Sequence, residues 1–194
     1  MGRQSTARQR MLDSAVVLFR ERGVDATALT DVVEHAHAPR GSIYHHFPGG
    51  KPQLAEEATR RAGALMGSLI AASLAQGDPV ATLRLIVGFF RQQLRESDFR
   101  SGCPIAAAAL EGGELPETKQ AAGESFTAWE QTIAEGLAQQ GLAMDRAHSI
   151  AAMAISAIEG ALLVAKAKRS TEPLDVVETE LSAWVDALLT RKST

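Results

Sequence analysis

Between Thr27 and Lys51 the chain reads TALTDVVEHAHAPRGSIYHHFPGGK. Several side chains in this window suit an anion or the edge of a base. A guanidinium forks onto two acceptors such as guanine O6 and N7, which makes Arg40 the candidate base reader. Ser42 can bond a base or a phosphate, and Gly41 allows close backbone approach. Lys51, beside a helix start, adds its charge to the positive end of a helix dipole and suits a phosphate. Thr27, read as a helix cap, would leave backbone N–H groups for another phosphate. Tyr44 and His45 carry further donors. Two short helices around a tight turn, the second bearing such groups, are how a helix-turn-helix offers a recognition helix to the DNA major groove.

Other chemistries fit the same residues poorly. His35, His37, His45 and His46 invite a metal reading, but adjacent histidines splay around a helix. No cysteine or carboxylate completes a tetrahedral set at suitable spacing, so no metal or other cofactor is expected. Gly49-Gly50-Lys51 is no phosphate loop: His45 stands where its first glycine belongs, and Pro52 where Ser or Thr is needed. No acid, base and nucleophile cluster anywhere, so an enzyme is not expected. Cys103 is the single cysteine. It can form no intrachain disulfide, and buried packing suits it better than redox sensing.

The reading groups need a rigid mount. Thr6 with Gln9 reads as a capping box opening a helix over 7–22, with Met11, Leu12, Ala15, Leu18 and Phe19 along one stripe. Gly23 closes it by taking positive φ. A second helix follows Thr27, turning Leu29, Val32, Val33 and Ala36 inward. His37-Ala38-Pro39 forms the turn, and Pro39 suits the first turn of a third helix because its missing N–H costs nothing there. Ile43 and Phe47 then face the core while Arg40, Ser42, Tyr44 and His45 face out. Arg3, Arg8 and Arg10 form a basic arm able to reach a flanking groove. Further helices are expected over 52–75, 80–96, 104–111, 115–140, 145–168 (capped by Asp145) and 173–190, separated by Gly, Pro and Asp stops.

Composition agrees with an all-α chain of about nine helices. It is 45% hydrophobic but 5% aromatic, without long β-branched runs. The net charge of −3 argues against a wholly basic nucleic-acid coat. Its distribution is uneven: through Arg61 there are nine Lys/Arg against seven Asp/Glu, and the excess beyond is acidic. That is the sign expected of a DNA-binding head on an acidic body. The start, MGRQSTARQR, has no apolar signal core, and no uninterrupted apolar run approaches the ~18 residues of a span. No membrane association is expected, and the location is read as cytoplasmic.

Gly23, Thr27, Asp31-Val32-Val33, the turn through Pro39, the run from Arg40 to Phe47 and Lys51 together resemble the TetR family of repressors. Gly102-Cys103-Pro104-Ile105-Ala106 and the Phe47-to-Lys51 variant look like its LmrA/YxaF-type branch, associated with multidrug and flavonoid-like effectors. The resemblance implies a homodimer on double-stranded operator DNA, with a three-helix head over 1–51 and a ligand-binding and dimerisation body over 52–194. It implies that Tyr44 and His45 meet phosphate, and that a small molecule moves the heads apart to release the operator. One departure stands out: the family usually has Gly where this chain has His37.

In the body, Met66, Ile70, Val87, Phe90, Cys103, Phe126, Trp129 and Met153 come from the helices that surround the effector pocket in this family. Aromatic faces and adaptable Met suit varied apolar ligands, and Glu130 or Glu159 could pair with a cationic one. The last two helices carry apolar stripes: Ile150, Ala154, Ala157 and Ala161 on one, Val177, Leu181, Trp184 and Leu188 on the other. Two copies would make a four-helix bundle. The reading is a dimeric repressor released from a palindromic operator by a small apolar or aromatic effector. The alternatives are an all-α ligand-binding protein, or an enzyme, whose head no longer binds DNA.

Overall fold

The computed structural model describes residues 2–111 and 115–190, with side chains from Ala7 onward. Among these residues there are nine α-helices, one 3-10 turn and no strand. The helices are α1 (Gly2–Arg22), α2 (Leu29–His35), α3 (Ile43–His46), α4 (Gly50–Leu74), α5 (Pro79–Glu96), α6 (Pro104–Glu111), α7 (Pro116–Gln139), α8 (Met144–Lys168) and α9 (Glu172–Thr190), with the 3-10 turn over Arg40–Ser42. They fall into two compact units, Met1–Ala64 with Cys103–Ser125, and Leu65–Gly102 with Phe126–Thr194.

In the first unit α1 packs on α2 and α6. Its core holds Met11, Ala15, Phe19, Val32, Ile43, Phe47 and Leu54, including the stripes expected from helical periodicity. The helix starts differ from expectation. Because α1 begins at Gly2, Thr6 lies inside it and cannot cap it; the Thr6 side chain lies outside the described ones. The N-cap of α2 is Ala28, not Thr27. Ala28 has no side-chain acceptor for the first turn, but Asp31 supplies the reciprocal bond of a capping box, its carboxylate accepting from the Ala28 N–H at 3.1 Å. Pro39 precedes the 3-10 turn and does not enter a helix.

The turn between α2 and α3 explains the departure at His37. The His37 N–H donates to the Glu34 carbonyl at 3.0 Å, and the Ala38 N–H to the Val33 carbonyl at 3.0 Å. That is a Schellman motif, which needs a left-handed residue just past the helix. His37 accepts it, at φ +48°. Arg10 Nε donates to the Ala36 carbonyl at 3.2 Å, satisfying another acceptor at that helix end.

In the second unit α9 packs against both α8 and α5. Val80, Ala134, Leu137, Leu142, Ala147, Ile150, Ala151 and Val185 form one buried cluster. The Asp78 carboxylate caps α5, accepting from the Ala81 N–H at 2.9 Å. α8 is capped at Ala143, with no side-chain bond, so Asp145 sits in its first turn, where its charge suits the dipole. Arg91 bridges α5 to α9 through Asp175 at 2.7 Å and Glu178 at 2.6 Å. Asp98, Phe99 and Arg169 all adopt positive φ, and they are tied together. Arg169 reaches the Asp98 carboxylate at 2.6 Å and lies 5.7 Å from the Phe99 ring centre. The guanidinium holds the Asp98 carboxyl below its usual range. By length and composition α8 could cross a membrane. Its inward residues Ala147, Ile150, Ile158, Ala161, Leu162 and Ala165 are nevertheless buried, as in a core helix of a bundle.

Candidate DNA interface and ligand cavity

The polar edge of the 3-10 turn and α3 is exposed because its opposite edge is anchored. Phe47 has no exposed surface and Ile43 is 3% exposed. Arg8 lies 4.9 Å from the Phe47 ring centre and pairs with Glu57. With that edge pinned, a 3.6-residue period turns Arg40, Gly41, Tyr44 and His45 to solvent. Tyr44 is 64% exposed. A Cβ at Gly41 would meet nothing within 4 Å. The Ser42 hydroxyl donates to the Pro39 carbonyl at 2.6 Å, so its hydrogen must rotate away from that carbonyl before it can donate to a phosphate. Lys51 lies in the first turn of α4, with its ammonium donating to the Asp25 carbonyl at 2.8 Å. That bond uses one of its three hydrogens.

Thr27 is placed otherwise. It is 2% exposed, and its hydroxyl donates to the Gly23 carbonyl at 2.7 Å. The side chain therefore holds the α1–α2 turn closed and does not cap α2. The basic arm is also displaced. Arg8 and Arg10 are engaged inside the unit through Glu57, Phe47 and Ala36, and the Arg3 side chain lies outside the described ones. A concave strip joins Leu29, Thr30, Val33 and Glu34 of α2 to Ala38, Arg40, Ile43 and Tyr44. Thr30 and Glu34 were not singled out in the sequence. Their signal was available: they follow the inward positions by one helical step and share the face of Arg40.

His45 and His46 meet edge-on with ring centres 5.2 Å apart. Burial foremost, then the His45 and Arg8 charges, push the His46 imidazole below its usual 6.5. Among the described residues no group of three His, Cys, Asp or Glu is placed to hold a metal.

The second unit contains a cavity of about 70 Å³. Met66, Ile70, Phe90 and Trp129 line it, together with residues of α5, α8 and α9 that include Ile155, Ile158, Glu159 and Leu181. The other residues assigned to a pocket lie elsewhere. Val87 is fully buried away from the wall. Phe126 packs edge-on against Trp129, ring centres 5.4 Å apart. Cys103 is buried in the first unit. Met153 points outward, 45% exposed.

The outer faces of α8 and α9 also differ from expectation. Ile150, Ala161 and Leu181 are buried inside this unit, and Ala154 lines the cavity. Ala157, Val177, Trp184 and Leu188 are half-buried. The large apolar residues left on the outside are Met144, Met153, Leu163 and Val164 of α8 and Val176 of α9. The outward stripe is thus rotated from the one read in the sequence. The outer face of α8 also carries large apolar residues, Met153, Leu163 and Val164, so periodicity alone could not choose its inward face.

Comparison with known proteins decides the family. The model for bacterial regulatory proteins of the tetR family matches residues 11–58. The model for the C-terminal domain of LmrA/YxaF-like transcriptional regulators matches residues 79–180. The chain belongs to the TetR family of transcriptional regulators. An HTH-type transcriptional regulator of Mycobacterium tuberculosis is 41% identical over 96% of this chain and 97% of its own length. The Bacillus subtilis regulators YxaF and LmrA are each 29% identical, over 95% of this chain and 98% and 97% of theirs. Crystal structures carry the same fold. Regulatory protein TetR from Rhodobacter sphaeroides superposes with a TM-score of 0.80 at 23% identity, covering 91% of this chain and 97% of its own. A TetR-family regulator from Agrobacterium tumefaciens gives 0.79 at 21%, covering 93% and 97%. This TetR-family chain is therefore a DNA-binding transcriptional regulator with an LmrA/YxaF-like C-terminal domain.

Proposed function

We propose that the chain is a homodimeric repressor, cytoplasmic and without enzymatic activity, released from a palindromic operator by a small apolar or aromatic effector. Residues 1–51 bind DNA, and residues 52–194 bind the effector and a second copy. Arg40 reads a base. Ser42, Tyr44, His45 and Lys51 position the backbone, and Gly41 lets it approach. The observation that carries this reading is the exposed edge of Arg40, Tyr44 and His45, backed by the fully buried Phe47. A side chain reads a base only if its mount does not move.

One such short helix reads too few bases for useful specificity, and a two-fold dimer doubles the site at fixed spacing. The outward residues Met153, Leu163, Val164 and Val176 supply the apolar patch such a partner needs. The effector enters the Trp129 cavity and biases a two-state dimer away from the operator-competent spacing.

The test is a mobility-shift and sedimentation pair with the full chain and a palindromic fragment from upstream of its own gene. A sequence-specific shift by a dimer, relieved by a ligand that quenches tryptophan fluorescence, is expected. Intact dimers that shift no such fragment would favour a ligand-binding protein whose head has lost DNA.

A further inference from the structure

Glu34 shares the concave strip of the head with Arg40 and Tyr44. The floor of the strip is apolar, with Val33 and Ile43 buried. Its rims are polar and exposed: Thr30 and Glu34 on α2, Arg40 and Tyr44 on the 3-10 turn and α3. Yet the two charges on these rims do not pair. Among the described residues neither the Glu34 carboxylate nor the Arg40 guanidinium makes a hydrogen bond or ion pair.

The other acid of α2 behaves differently. Asp31 accepts from the Ala28 N–H at 3.1 Å and lies 3.9 Å from Arg22. It sits in the first turn, where the helix dipole favours an acid. Glu34 sits in the last turn, where the dipole opposes one, and the free chain holds nothing that offsets this. Its mount is nevertheless fixed. The Val33 and Glu34 carbonyls accept from the Ala38 and His37 N–H groups, both at 3.0 Å, which ties the end of α2 to the turn that leads to Arg40.

A carboxylate only accepts hydrogen bonds, and on a DNA face that makes it selective. Phosphates repel it, and a base edge that presents acceptors repels it again. In the major groove guanine presents N7 and O6, thymine O4, and adenine N7 beside its amino group. Cytosine alone presents a donor, N4, and no acceptor. Arg40 has the opposite preference, for the acceptors of guanine.

Resting on the reading of this edge as the DNA face, we propose that Glu34 determines specificity by accepting from N4 of a cytosine next to the base read by Arg40. It acts by exclusion as much as by attraction. It weakens binding to every other sequence and so widens the ratio between operator and bulk DNA.

The test uses the full-length protein and the palindromic fragment from upstream of its gene, with each base pair replaced symmetrically in turn. Affinities are read by fluorescence anisotropy at one fixed salt concentration, and Arg40→Ala marks the position that Arg40 reads. In the unaltered protein, replacing the neighbouring cytosine is expected to cost at least about fivefold in affinity. In Glu34→Ala that penalty is expected to fall below about twofold. The same variant is expected to bind scrambled DNA about twofold tighter or more, because a charge facing the phosphates is gone. A misfolded head could not give that gain. Glu21→Gln removes a charge from α1 outside the strip and is expected to leave the cytosine penalty intact. A full penalty in Glu34→Ala, or its loss in Glu21→Gln as well, overturns the proposal and leaves the DNA face standing. So does an operator indifferent to every cytosine. If the unaltered protein binds no such fragment, the DNA-face reading falls and takes this proposal with it.

Discussion

Glu111, the last residue of α6, lays its carboxylate against Gly23, the residue that ends α1. A Cβ built on Gly23 would stand 1.9 Å from Glu111 Oε2, and the same oxygen accepts from the Asp25 N–H at 3.4 Å. Gly23 also has φ +89°, so two separate effects exclude a side chain there. The carboxylate is the free end of a flexible chain and can swing aside, whereas the backbone cannot. Gly23→Ala is therefore expected to destabilise by about 1–2 kcal/mol, mainly through the left-handed backbone. Urea unfolding of Gly23→Ala, with and without Glu111→Ala, separates the two. Full recovery in the double variant would show that the clash, and not the backbone, sets the cost.

His37 offers the reverse experiment. It holds φ +48° without a glycine's freedom, inside a turn whose bonds already require that conformation. Replacing it by Gly removes roughly 1–2 kcal/mol of strain and adds about 0.5–1 kcal/mol of unfolded-state entropy. His37→Gly is expected to raise the unfolding midpoint slightly. A clear loss of stability would mean that the imidazole makes a contribution the backbone argument omits.

Arg40 and Lys51 should fail differently on DNA. If Arg40 forks onto a guanine, Arg40→Ala weakens operator binding by about 1–3 kcal/mol and relaxes specificity at one position. The salt dependence then barely changes. Lys51→Ala instead weakens binding to all sequences and lowers the salt slope by about 1. Titrations at several salt concentrations on operator and scrambled DNA distinguish them. A uniform loss for Arg40→Ala would reassign it to the phosphates.

His46 makes the stability of the first unit depend on pH. Its imidazole binds a proton less readily in the folded chain than its usual 6.5, chiefly through burial. The unfolded chain therefore binds more protons in the window below 6.5. The stabilising contribution is complete above 6.5 and is lost as pH falls through that value toward the lower folded one. His46→Gln is expected to flatten this part of the stability–pH profile. An unchanged acid limb would assign the effect to other groups.

Leu163 and Ile150 lie on opposite faces of α8, and their substitutions should separate assembly from folding. Leu163 is 64% exposed and Ile150 1%. Leu163→Glu is expected to yield folded monomers by sedimentation, with operator binding lost. Ile150→Ala is expected to cost about 2–5 kcal/mol of stability by leaving a cavity, whatever the oligomeric state. Dimers that survive Leu163→Glu would move the interface to another surface.

Much of the head was legible as sequence because its signals are local. The apolar stripe of α1, the inward Ile43 and Phe47, the stop at Gly23 and the outward Arg40 and Tyr44 depend on residues a turn or two apart, where helical periodicity is decisive. Helix starts were less legible. Thr6, Thr27 and Asp145 have the chemistry of caps, yet α1 runs on to Gly2 and Ala28 and Ala143 cap α2 and α8. A hydroxyl that bonds backward, as Thr27 does to Gly23, looks identical in sequence to one that caps forward.

By itself, then, the sequence determined an all-helical chain, the order of its elements and the polar edge on a buried Phe47. Each of these follows from short-range periodicity and turn chemistry. Tertiary structure alone decided which face of α8 is inward, that Met66, Ile70, Phe90 and Trp129 come together around one cavity, and that Arg8 and Arg10 are held within the head. Those outcomes depend on contacts between helices far apart in the chain. When both faces of a helix are apolar, burial is settled by its neighbours and not by its own spacing.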